Sequence, residues 1–295
     1  MVKKIIVKLQ GGLGNQLFQC AFAMRLRNET HAKLVLDTSD FQYDSVGREY
    51  ALKPFDIEED VIIDSSGKFN WKYDQRKNWL IKIGVKLCPD ELFRCAAKYG
   101  IYIWEDISYK DFSIDEKKNC IMLHGLWQSE KYFYSEREFI KKKLKVAFEP
   151  NERDNALINE MYRTNSVCVH IRRGDFLKKS NSLCVCPESY FLKAVEYIKS
   201  RIESPVFYVF SDDIDEVKQN FDFGIDNMIY VQGYRHDYEE FRLMYSCKHF
   251  IISNSTFSWW ASYLRNGDGI VIAPRKWYED STDISNLIRK DMLCM

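Results

Sequence analysis

Residues 166 to 175 read Ser-Val-Cys-Val-His-Ile-Arg-Arg-Gly-Asp, an apolar run that ends in an imidazole, two adjacent guanidinium groups and a carboxylate. Val167, Val169 and Ile171 alternate with Cys168, His170 and Arg172, the period of a strand, and Gly174 lets the backbone turn sharply after it. In open α/β sheets ligands bind beyond the carboxyl ends of the strands. Arg172 and Arg173 therefore stand where a phosphate or diphosphate would lie. A guanidinium suits that anion because its planar fork donates two parallel hydrogen bonds and keeps its charge. His170 could donate to a phosphate or to a base edge. The same residues also fit a plainer arrangement, in which the arginines bridge to Asp175 and His170 is a satisfied core histidine.

A second glycine-bearing turn lies near the N-terminus. Residues 4 to 9 read as a strand, residues 17 to 26 as a buried helix and residues 33 to 37 as a second strand, with Gln10-Gly11-Gly12-Leu13-Gly14-Asn15-Gln16 at the first junction. Gly12 and Gly14, with Asp37 about 20 residues on, invite a dinucleotide-binding reading. Leu17 occupies the place of the third small residue and would crowd the helix against the strand. The turn serves a sugar or phosphate equally well, because glycines admit a ligand to the backbone and a helix start favours negative or hydroxyl-rich groups. Asn15 and Gln16 add neutral donors and acceptors. A tight turn without a ligand is the third reading.

The remaining strand ends set the pattern for the whole back half. Strands are expected at residues 206 to 210, 227 to 231, 249 to 253 and 269 to 274, with helices between them, and this alternation indicates a parallel sheet covered on both faces. Asp212-Asp213 and Asn254-Ser255-Thr256 follow two of those strands, so they can converge with the arginines at one sheet edge. Ser255 and Thr256 fall at a helix start, where they could hold a phosphate or simply cap the helix. Asp213-Ile214-Asp215 has the form of a metal-binding Asp-x-Asp. The arginines and the helix start already supply the positive field a metal would provide. In the front half, residues 123 to 133 gather His124, Trp127, Gln128 and Glu130, groups suited to recognising a sugar, although a buried tryptophan is the commoner role.

Composition limits the possible partners. Lysine plus arginine and aspartate plus glutamate number 43 each, so net charge gives no case for nucleic acid. Nine cysteines with no Cys-x-x-Cys pair and an odd total fit free thiols in a reducing, cytoplasmic setting. The apolar run at the N-terminus is too short for a secretion signal, and no stretch is long enough to span a bilayer. Between Lys68 and Lys86, Phe69, Trp71, Tyr73 and Trp79 alternate with basic residues, a segment that could lie against lipid headgroups or form a solvated face with snorkelling lysines. Residues 149 to 154 are the expected boundary between two domains, 1–150 and 151–295.

In order along the chain, Gly11 to Gln19, Trp127 to Phe133, His170 to Asp175, Phe210 to Asp213 and Ser253 to Trp260 resemble the motifs of the bacterial alpha-1,2-fucosyltransferases. The match spans nearly the whole chain, with residues 40 to 120 contributing little. The resemblance implies an α/β fold of the GT-B glycosyltransferase type, two Rossmann-like domains facing a cleft. The first would serve the acceptor and the second the donor. It implies transfer of L-fucose from GDP-fucose to the 2-hydroxyl of a terminal galactose, with inversion at the anomeric carbon and no obligatory metal or other cofactor. Carried over, Arg172 would bind the diphosphate and help it leave, and Asn15 would reach the fucose or the β-phosphate. His170, Arg173, Asp212, Asp213, Asn254, Ser255, Thr256, the Phe257 amide, Gly12 and Gly14 would bind the donor. Trp127, Gln128 and Glu130 would meet the acceptor. Asp175 is the candidate general base, with Glu130 behind it. Phe176 stands where a tyrosine often follows the Arg-Arg-Gly-Asp run. The implied partner is a galactose-terminated glycan, free or lipid-linked, with peripheral contact at the inner membrane face left open. A nicotinamide-dependent oxidoreductase using Gly12, Gly14 and Asp37, or a GDP-sugar-binding module without catalysis, are the competing readings.

Overall fold

The structure is a computed structural model that describes residues 1–44, 47–57, 61–68, 79–174, 184–225, 228–233 and 236–295. The chain divides into two compact units, Met1–Ala147 with Ser285–Leu287, and Phe148–Ile284 with Ile288–Met295.

In the first unit the described strands are β1 (Lys4–Lys8), β2 (Lys33–Asp37), β3 (Val61–Asp64), β4 (Ile101–Trp104) and β5 (Cys120–Gly125). They form one sheet in the order β3-β2-β1-β5-β4, with every neighbouring pair parallel. Ile5, Ile6 and Val7 of the central strand are buried, as a strand covered on both faces demands. Helix α1 (Leu13–Thr30) follows β1 at once and buries most of its length, from Leu17 and Phe18 to Leu26. It starts at Gly12, whose extended backbone caps it, and it stops at His31, which takes the left-handed conformation with φ 55°. The positive φ at this turn belongs to Gly11, at 78°, where a Cβ would stand 2.5 Å from the Asn15 side-chain nitrogen. Helices α2 (Trp79–Leu87) and α3 (Pro89–Ala97) lie beside β4, and α4 (Arg137–Lys143) follows β5. Pro89 at the first turn of α3, with Asp90 and Glu91 behind it, suits a helix start.

The second unit alternates helix and strand as far as β10. Its order is α5 (Glu152–Arg163), β6 (Asn165–Ile171), α6 (Glu188–Lys199), β7 (Pro205–Ser211), α7 (Ile214–Asn220), β8 (Met228–Tyr230), α8 (Asp237–Ser246), β9 (His249–Ile251), α9 (Thr256–Leu264), β10 (Val271–Ala273) and β11 (Met292–Cys294). The sheet runs β11-β10-β9-β6-β7-β8, again parallel throughout. Helix α6 buries Tyr190, Phe191, Ala194, Val195 and Ile198, one stripe at helical spacing, against Val167, Val169 and Ile171 of β6. Tyr190 then donates its hydroxyl to the carbonyls of Ile252, at 2.7 Å, and Ile272, at 3.2 Å. That bond ties the ends of two neighbouring strands together. All nine cysteines are free thiols.

Candidate functional site

Strand β6 lies between β9 and β7, with Ile171 paired to Ser211 and Val169 to Ile251, so the residues that follow these three strands meet at one edge. Arg172 Nε lies 3.1 Å from Asp212 Oδ2, and the arginine side chain keeps 29% of its surface exposed. The other carboxylate oxygen, Asp212 Oδ1, accepts from the Arg173 amide at 2.8 Å. Asp212 is thereby a brace that holds the turn after β6 and aims Arg172. Gly174 sits against it, since a Cβ there would stand 3.0 Å from Asp212 Oδ2. His170 is buried with Nδ1 2.9 Å from the Ser253 hydroxyl. Burial first, and the Arg172 charge second, push its pKa down to about 3, so the imidazole is neutral at physiological pH.

Across the edge, Ser255 caps α9, its hydroxyl accepting from the Phe257 amide at 3.3 Å. Ser255, Thr256 and Phe257 are half-buried, and the Phe257 ring centroid lies 6.0 Å from that of His170. A helix start of this kind carries partial positive charge. A further group, which no motif announces, is Glu240 on α8. Burial, with Asp237 and Asp212 adding to it against Arg172, raises its carboxyl pKa to about 7.

Several residues expected to touch the donor are engaged elsewhere. Arg173 turns away from its neighbour: its guanidinium lies 4.5 Å over the Phe221 ring and its Nε 3.5 Å from Glu216. Asp213 caps α7 by accepting from the Glu216 amide at 3.1 Å. Asn254 is buried and donates to the carbonyls of Cys184, at 2.7 Å, and Trp277, at 2.8 Å, while accepting from the Cys186 thiol. For these three the polar group holds a loop or helix in place: Asn254 is buried and must satisfy the chain around it, Asp213 is an exposed helix cap, and Arg173 packs on a ring. Asp175 and Phe176 lie outside the described residues, as do Phe69, Trp71 and Tyr73.

The first unit carries a separate polar edge. A cavity of about 470 Å³ is lined there by Gln10, Asn15, Asp40, Tyr43 and Glu105, among others. Glu105, at the end of β4, accepts from the Gln10 side chain at 2.9 Å and lies 3.0 Å from His124 Nε2. Burial alone would raise its pKa, but the bonds from His124 and Gln10 outweigh that and hold the carboxylate below its ordinary range. Lys8 is buried against Asp40 at 3.0 Å. Asn15 lines the cavity and accepts from the Gln128 side chain at 2.9 Å. Gln16, by contrast, is wholly buried and spans Gly11, Glu49 and Ala51 with three backbone bonds, so it shapes the turn instead of meeting a ligand.

Two expectations for this unit are corrected by burial. Trp127 is 0% exposed and packs on Phe22 and Tyr132, with ring centroids 5.1 and 5.4 Å away, so it presents no face to a sugar. Its φ of 53° is a left-handed value that this packing holds in place. Asp37 is also fully buried and accepts from the Ser39 amide at 2.9 Å, while Leu17 fills the space a third glycine would leave open. The ribose contact of a nicotinamide site is therefore missing. Gly12 has open space above it, Gly14 is buried within α1, and Glu130 is half-buried at the start of a 3-10 turn.

A parallel sheet whose strand ends carry a braced arginine beside a helix start is the arrangement that transfer from a nucleotide sugar calls for. The chain belongs to glycosyl transferase family 11, whose model matches residues 4–290. It is 30% identical over 285 residues to an alpha-1,2-colitosyltransferase of Escherichia coli, covering 93% of this chain and 92% of that protein. It is 26% identical over 186 residues to galactoside alpha-(1,2)-fucosyltransferase 1 of Homo sapiens, covering 58% of this chain and 51% of that protein. The fucosyltransferase NodZ from Bradyrhizobium shares the fold, with a TM-score of 0.53 at 16% identity over 90% of this chain and 94% of its own. NodZ has also been crystallised with GDP.

Proposed function

We infer that this glycosyltransferase moves L-fucose from GDP-fucose to the 2-hydroxyl of a terminal galactose, with inversion and without a metal. The observation that carries the reading is Arg172, aimed by Asp212 at the edge where α9 begins. Leaving of GDP builds negative charge on the diphosphate, and a preorganised guanidinium with helix-start amides stabilises that charge as it forms. Neutral His170 lies beside them and brings no second positive charge. Arg173, Asp213 and Asn254 act as positioning residues in this scheme. The cavity of the first unit takes the acceptor, with Asn15 and Glu105 as its hydrogen-bonding groups. Asp175 keeps its assignment as the base for the acceptor hydroxyl.

The colitosyltransferase likeness favours a second donor. Colitose is fucose without its 3-hydroxyl, so the two donors differ by a single polar group. A site that hydrogen-bonds a hydroxyl rejects the analogue that lacks it far more strongly than a site without such a bond discriminates. Turnover of GDP-fucose and of GDP-colitose with a galactoside acceptor tests the reading. Faster release of GDP from GDP-fucose supports it, preference for GDP-colitose replaces the donor, and GDP binding without release from either leaves a non-catalytic module.

A further inference from the structure

Helix α2 places two opposite faces on one short segment. Ile81 and Val85 pack toward Ala96, Ile101 and Ile103, and Gly84 is buried against Leu92 of α3. The other face is apolar as well, yet it is open: Trp79 is 67% exposed, Leu80 59%, Ile83 44% and Leu87 74%. Leu80, Ile83 and Leu87 recur at helical spacing, so they form one stripe with Trp79 at its end. Lys82 and Lys86 are exposed along the flank of that stripe, and the helix contains no acidic residue. In sequence, residues 68 to 86 hold six basic residues and one acidic in a chain whose charges balance.

We propose that the outer face of α2 seats on an anionic lipid bilayer, Trp79, Leu80, Ile83 and Leu87 entering the interface and Lys82 and Lys86 meeting the headgroups. Tryptophan at the headgroup level, aliphatic groups below it and lysines on the polar flank are the composition of an interfacial helix. No helix among the described residues is long and apolar enough to cross a membrane. The contact is therefore one that lies on the surface. A second copy of the chain fits this face poorly. Nine residues give a patch far smaller than the roughly 800 Å² per partner of a stable interface. In a two-fold pairing across it, Lys82 and Lys86 of the two copies would also be brought together.

The test is sedimentation of the full chain with phosphatidylcholine vesicles, with and without phosphatidylglycerol. The wild type is expected to pellet with the anionic vesicles at least about tenfold more than with the neutral ones. Trp79→Ser with Leu87→Ser should abolish pelleting, and Lys82→Glu with Lys86→Glu should remove the preference for anionic lipid. Both variants should keep the thermal midpoint of the wild type, since the substituted groups face outward. Wild-type chain that stays in the supernatant with both vesicles overturns the proposal. So does pelleting that neither variant reduces, or a wild-type dimer in sedimentation velocity that the serine variant converts to monomer.

Discussion

Each unit sends a central parallel strand into a tight turn and gathers polar groups at the strand ends around it, but the two edges differ in chemical character. In the first unit the gathered groups are mainly carboxylates and amides, Gln10, Asn15, Asp40, Asp44 and Glu105, with Arg48 also on the cavity wall and Lys8 drawn into an ion pair with Asp40. In the second they are Arg172, a neutral imidazole and a helix start, with Asp212 drawn into the turn as a brace. One architecture thus offers an edge suited to neutral hydroxyls and another suited to a diphosphate. The fold supplies the place, and the side chains gathered at each edge decide which ligand fits it.

The comparison can be broken from either side. The largest effect is expected from Arg172→Ala, which removes the donor aimed at the leaving diphosphate and should lower turnover by about 10² to 10³. Arg173→Ala, whose guanidinium lies over Phe221 and beside Glu216 among the described residues, should cost far less, and equal losses in steady-state rates would erase the distinction between the two arginines. Next is Asn254→Ala. It takes the side-chain donor from the Cys184 carbonyl and one of two donors from the Trp277 carbonyl, which keeps the Cys184 amide, and should lower stability by about 1–3 kcal/mol, read by denaturant unfolding. The Glu240 carboxyl comes third. Its folded pKa of about 7 lies above the 4.5 of an ordinary glutamate, so its contribution to stability is fully present below pH 4.5 and lost as pH rises through 7. Allowing for its partial exposure, the loss should be about 2 kcal/mol, and Glu240→Gln should flatten that stretch of the pH–stability curve. The smallest effect sharpens the comparison. Glu105→Gln should raise the acceptor KM by about tenfold, the loss of one charged hydrogen bond, while GDP affinity stays as it was.

The parallel sheet of the second unit and the first β-α-β of the first unit were legible from residues, because alternating apolar runs and the turns between them fix both, whereas β3, β4 and the helices beside β4 were not. Which polar residue serves a ligand was not. Arg172 and Arg173 are adjacent and identical in type, and only the ring of Phe221 and the carboxylate of Glu216 show which one turns inward. Asn254 and Asp213 follow strands just as a ligand-binding residue would, yet each satisfies backbone groups of its own loop or helix. Trp127 was read from its neighbours as a candidate for sugar contact, but tryptophan is also the side chain that most fills a core. Glu105 and Glu240 carry no motif. Their environments come from packing between elements distant in sequence, which a local pattern does not encode. On α2 the mixture of aromatic and basic residues was visible, whereas the face left open depended on how Gly84 meets Leu92.

The central claim is that the second unit holds a guanosine diphosphate through Arg172. Calorimetric titration of the full chain with GDP, beside NADH and beside Arg172→Ala, tests it most directly. Saturable GDP binding that Arg172→Ala weakens at least about tenfold, with no heat from NADH, is the predicted result. GDP binding equal in wild type and Arg172→Ala, or binding of NADH in its place, would contradict it.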